Sequence, residues 1–98
     1  MYRVYRIPTA KLPAMDGVYQ DSLAGRQSIT VRDAKTLGVG GEGSLVLVEG
    51  SDDGVARADA LLKDAGTALK GAEAEAAYKA FRSQDEDAAS GMGFVFGG

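Results

Sequence analysis

Residues 44–66, "SLVLVEGSDDGVARADALLKDAG", constrain the fold more than any other stretch of the chain. Leu45, Val46, Leu47 and Val48 are consecutive and apolar. Successive strand side chains point to opposite faces, so an unbroken apolar run predicts a central strand covered on both sides. The residues that follow predict an amphipathic helix. Ser51 or Asp52 suits its N-cap, and Asp53 sits near the positive end of its dipole. Val55, Ala58, Leu61, Leu62 and Ala65 share one face. Asp53–Arg57 and Asp59–Lys63 have the i,i+4 spacing of surface ion pairs, and Gly66 suits the position after the last turn.

The flanking segments complete a sheet. "YRVYRI" at 2–7 alternates apolar residues with arginine and predicts a half-buried strand stopped by Pro8. Residues 8–25, with Pro8, Pro13, Gly17 and Gly25, predict a long loop that has room for a short strand at "GVYQ". "RQSITVR" alternates again, with Ile29 and Val31 on one side, and "DAKTLGVGGEG" predicts a loop with one helical turn near Asp33–Leu37. "TALKG" predicts a short strand or turn. A second helix is expected over "AEAEAAYKAFRSQ" as far as Ala89, with Ala72, Ala76, Ala77, Ala80 and Phe81 inward. Asp85, Glu86 and Asp87 lie near its C-terminal end, where the dipole disfavours negative charge, so fraying or a basic partner is expected there. Phe94, Val95 and Phe96 are too apolar to dangle in water and predict a buried last strand entered through Gly91–Met92–Gly93. The sum is a single α+β domain spanning residues 1–98. Its single-layer, mostly antiparallel sheet carries two helices packed on one face, a sandwich related to the ferredoxin-like plan.

Composition narrows the chemistry. The 98 residues include no Cys and no His. That removes thiol nucleophiles, histidine bases, disulfides and the usual zinc and haem ligands, so no cofactor, no metal and no enzymatic activity are expected. The net charge is −3, and residues 49–98 carry ten acidic side chains against five basic ones. The basic residues form no dense stripe, so nucleic-acid binding is not expected. No apolar run reaches the ~20 residues that span a bilayer, and the first residues lack an apolar signal-peptide core. No membrane association and a cytoplasmic location are therefore expected.

Three motifs carry possible chemistry. "GVGGEG" at 38–43 has the letters of a dinucleotide fingerprint, but it leads into a strand rather than a helix, and Glu42 would repel phosphate. A connection between strands is the expectation. "EGSDDG" at 49–54 imitates the start of a calcium loop, yet position 12 is Ala60 rather than an acid. The same turn remains a candidate ligand site through Glu49, Ser51, Asp52 and Asp53, with a neutral or amine-bearing ligand easier to hold than an anion. Gly97 and Gly98 form a terminal diglycine, a candidate free end of the kind that sulfur carriers and modifiers present to an activating enzyme.

Residues 44–71 resemble the strand–helix–strand unit of bacterial microcompartment shell proteins, with Ala58, Asp59, Ala60 and Lys63 in the matching helix pattern. ACT-type and other ferredoxin-like small domains are similar over the same stretch. After Gly71 the chain departs from the shell proteins, with a helix in place of a strand. The resemblance implies a small α+β domain without catalytic residues that assembles into rings. The leading expectation is thus a non-enzymatic module acting as an oligomerising binding or assembly subunit, with another copy or a protein partner. The alternatives are a ubiquitin-like diglycine carrier using Gly97 and Gly98, and an ACT-like small-ligand sensor.

Overall fold

A computed structural model describes the backbone of residues 1–97 and the side chains of residues 1–84. Its four strands are β1 (Tyr2–Ile7), β2 (Ser28–Asp33), β3 (Ser44–Glu49) and β4 (Thr67–Ala68), in the order β2-β3-β1-β4. Every neighbouring pair is antiparallel. The helices are α1 (Met15–Gln20), α2 (Ala34–Leu37), α3 (Asp52–Leu62) and α4 (Gly71–Gly97), with 3-10 turns at Thr9–Ala14 and Ala24–Arg26. The fold class is α+β, as the sequence predicts. With α1 between β1 and β2, and α3 between β3 and β4, the first 68 residues follow the split β-α-β-β-α-β plan.

The apolar run of β3 behaves as expected: Leu45 to Val48 are all buried. Val46 and Val48 join Tyr5 and Ile7 of β1 on one face, where Met15 and Val18 of α1 and Val55, Ala58 and Leu62 of α3 cover them. Leu45 and Leu47 join Val4 on the other face, beneath Ala77 and Phe81 of α4 and Leu37 of α2. Two helices do pack on one face, but they are α1 and α3. The long second helix lies on the opposite side, because a strand apolar in every position needs two covers.

Several local expectations change. Residues 17–20, offered as a possible strand, belong to α1, because Met15 and Val18 at i,i+3 present a buried helical stripe. The buried face of α4 runs through Ala74, Ala77, Tyr78 and Phe81, whereas Ala72 and Ala76 are exposed. Neither expected i,i+4 pair of α3 forms among the described residues. Arg57 Nε instead reaches Asp21 Oδ1 at 2.9 Å, and Asp59 turns toward the sheet. Asp21 also accepts from the N–H groups of Leu23 and Ala24, and these bonds with Arg57 hold its carboxyl below its ordinary value.

The backbone of residues 94–96 continues α4 and forms no strand. Once a helix is nucleated each added residue gains a hydrogen bond, and no proline interrupts residues 72–97. Whether Phe94–Phe96 are buried, and the acidic side chains of 85–87, lie outside the described residues. So does Gly98, while Gly97 is the last residue of α4. No helix among the described residues is long and apolar enough to cross a membrane.

Candidate functional site

The turn between β3 and α3 is used internally. Ser51 caps α3 as expected, its Oγ accepting from Gly54 N at 3.1 Å. The Ser51 N–H donates to Gln27 Oε1 at 2.9 Å, while Gln27 Nε2 donates to Leu23 O at 2.9 Å. A Cβ at Gly54 would collide with the Gln27 side chain, so the glycine makes room for this wedge. The Gly50 N–H donates to Met1 O at 2.9 Å, continuing the β1–β3 ladder. These amides, which would otherwise greet a ligand, already have partners. Asp52 and Asp53 are exposed in the first turn of α3.

Glu49 points elsewhere. Its Oε2 accepts from Tyr78 Oη at 2.9 Å on the α4 side, and that bond, with some burial, raises the Tyr78 phenol above its ordinary value. Tyr78 stacks on Tyr2, with ring centroids 4.1 Å apart and planes 17° from parallel. Arg82 lies 5.9 Å from the Tyr78 ring centroid. Glu49 thus belongs to a helix-docking cluster and is not brought together with Ser51, Asp52 and Asp53. No cluster of acidic residues suited to a metal ion occurs among the described residues.

A polar cluster that sequence reasoning missed ties β1 to α3. Tyr5 Oη donates to Asp59 Oδ1, and Arg3 Nη2 approaches Asp59 Oδ2 at 3.3 Å. Burial first, then Asp59, pushes the Tyr5 phenol well above its ordinary value. The sequence signal was present: Arg3 and Tyr5 alternate on one side of β1, and Asp59 is a polar residue adjacent to the apolar stripe of α3.

Two features remain open to a partner. The first is the edge of the sheet. β2 pairs with β3 along its whole length and, among the described residues, has no strand on its other side. Antiparallel strands alternate between residues that bond one neighbour and residues that bond the other. The Ala34 N–H donates to Gly43 O at 3.0 Å, which sets the phase: Thr30 and Arg32 bond β3, and Ile29, Val31 and Asp33 direct their N–H and C=O groups outward. On β1 the same counting makes Val4 and Arg6 face β4, in agreement with the Leu69 N–H to Val4 O bond at 2.8 Å.

The second is a cavity of about 690 Å³ where the ends of β1 and β2 meet the glycine loop before β3. Arg6, Lys35, Asp33, Glu42, Thr9 and Thr67 contribute charge or hydroxyls to its wall. Arg6 Nη1 donates to Glu42 O at 3.0 Å. Gly41 has a φ of +80°, and a Cβ there would run into the guanidinium, so only glycine both turns the loop and admits Arg6. The "GVGGEG" run is, as expected, a connection into a strand rather than a phosphate loop at a long helix. Comparison of the chain with protein-family models, with curated proteins and with solved structures finds no match, so the site rests on its own geometry.

Proposed function

We propose that this protein is a non-catalytic binding and assembly module that associates with a second copy of itself through β2. The supporting observation is the six-residue edge of β2, which no other strand among the described residues pairs on its outer side and which is self-complementary. A two-fold axis through Val31 sets Ile29 opposite Asp33 of the second copy and Thr30 opposite Arg32. Ile29, Val31 and Asp33 are the residues whose backbone groups point outward, so the two Ile29–Asp33 pairs and the central Val31 pair exchange backbone hydrogen bonds, while Thr30 and Arg32 stay bonded to β3. The Arg32 guanidinium, which donates to the Val31 carbonyl at 2.8 Å, yields that acceptor to the second copy. Ile29 and Val31, half-buried against the α1–α3 side, extend that apolar layer across the junction. An open strand edge of this length is a template for pairing unless something covers it.

The reading is in keeping with the resemblance of residues 44–71 to shell-protein and ferredoxin-like units. That stretch folds as β3, α3 and β4 within a split β-α-β-β-α-β sheet, the plan those domains share.

Sedimentation velocity across a concentration series tests it. The wild-type chain is expected as a dimer or larger, and Val31→Pro as a monomer with an unchanged far-ultraviolet spectrum. The Val31 N–H makes no bond to β3, so proline there removes no internal ladder bond while blocking an added strand. A wild-type chain that stays monomeric at the highest concentration overturns the proposal.

A further inference from the structure

We propose that the cavity between the Gly41–Gly43 loop and the ends of β1 and β2 binds a free α-amino acid, a small ligand carrying one carboxylate and one ammonium group. At about 690 Å³ it falls within the roughly 300–1,000 Å³ range of small-molecule sites. The ligand class follows from the wall. Two cations, Arg6 and Lys35, and two carboxylates, Asp33 and Glu42, share the cavity. Among the described residues no ion pair within 4 Å joins either cation to either acid; the pairs that form are Arg3–Asp59 and Arg57–Asp21.

Four charges that share one space without neutralising one another select for a ligand with both signs. A polyanion such as phosphate gains from Arg6 and Lys35 but meets Asp33 and Glu42. A simple amine meets the reverse. A zwitterion matches both halves of the wall, and the volume leaves room for its side chain beside Pro8 and Thr67.

Arg6 is the residue prepared for the carboxylate. Arg6 as a residue is half-buried, and one N–H of its guanidinium is fixed on the Glu42 carbonyl. A guanidinium carries five N–H donors in a planar fork, so donors remain for a two-pronged grip on a carboxylate. Holding the fork in place before binding reduces the ordering cost of the complex. Every residue named comes from one copy, and although the backbone of Asp33 also belongs to the β2 edge, the site needs no side chain from a second copy.

The test is a ¹H–¹⁵N NMR titration of the full chain with each of the common protein amino acids in turn. Acetate, methylammonium and inorganic phosphate serve as comparison probes, and the amides of Gly41, Glu42, Gly43 and Thr67 are followed. At least one amino acid is expected to shift these amides saturably, and to bind about tenfold or more tightly than acetate or methylammonium, each of which satisfies only half of the wall. Arg6→Lys keeps the charge and loses the fork, and is expected to weaken binding by about tenfold. Lys35→Gln, on an exposed residue, supplies a variant whose folding is not at stake, and is expected to weaken binding as well. The Val31→Pro monomer is expected to bind like wild type, which separates this outcome from that of the assembly test. The proposal is overturned if no amino acid gives saturable shifts, if phosphate binds as tightly as the best amino acid, or if Lys35→Gln leaves its affinity unchanged.

Discussion

At the scale of single residues, Tyr5 carries the clearest energetic consequence. Its ring lies in the sheet–helix core and its hydroxyl is bonded to Asp59, so the neutral phenol is favoured in the folded protein. The folded pKa is raised above the ordinary value of 10.0, while the unfolded chain ionises near that value. Above about pH 10 the unfolded state therefore holds fewer protons than the folded one, and stability falls with rising pH. The contribution is fully present below pH 10 and declines as pH climbs toward the raised folded value. Urea midpoints measured from pH 8 upward are expected to drop above pH 10 in wild type and to drop less steeply in Tyr5→Phe. At neutral pH, Asp59→Ala deprives both Tyr5 and Arg3 of their shared acceptor. Its expected cost is about 1–3 kcal/mol in the same measurement, the range for leaving a buried polar group unpaired.

At the scale of elements, the helix beginning at Asp52 was legible in advance because cap, dipole and apolar stripe agreed. Ser51→Ala removes the bond from Gly54 N and is expected to lower stability by about 1 kcal/mol, read as a shift in thermal midpoint. The central strand was legible for a similar reason: an apolar residue at every position admits only a doubly covered strand. What local pattern did not convey was distribution. Nothing in "LVLV" states which helix takes which face, and the six-residue α1 hides among prolines and glycines because its only apolar signal is Met15 and Val18. The end of the chain misled for another reason. Phe94–Val95–Phe96 has strand composition, but its backbone continues the helix begun at Gly71. The candidate site was the least legible part. Arg6, Asp33, Lys35 and Glu42 are scattered over 37 residues, and only the parallel course of β1 and β2 on either side of β3, which brings their last residues to the glycine loop, gathers them.

At the scale of the whole molecule, one sheet separates two apolar layers that share no side chain. The layer beneath α4 depends on that helix almost alone, with Leu37 and Leu69 at its margins. A chain truncated after Lys70 keeps all four strands, α1 and α3 but uncovers Val4, Leu45 and Leu47. It is expected to bind a hydrophobic dye such as ANS strongly and to precipitate at concentrations where the full chain stays clear. Retention of solubility without dye binding would show that the face tolerates water. The two outward-looking features lie close together at one end of the sheet, since Asp33 belongs both to the β2 edge and to the cavity wall.

The position of β1 also bears on how the molecule is made. It is synthesised before the other three strands, yet it sits between β3 and β4, whose residues come some forty and sixty positions later. At elongation rates of roughly 5–20 residues per second, an emerging β1 waits several seconds for both neighbours. Through that interval "YRVYRI" is an apolar segment without a partner, the kind that nascent chains lose to aggregation. Arg3 and Arg6 interrupt it at every third position. The two cations that later meet Asp59 and line the cavity are, before folding, the charges that guard this strand during its wait.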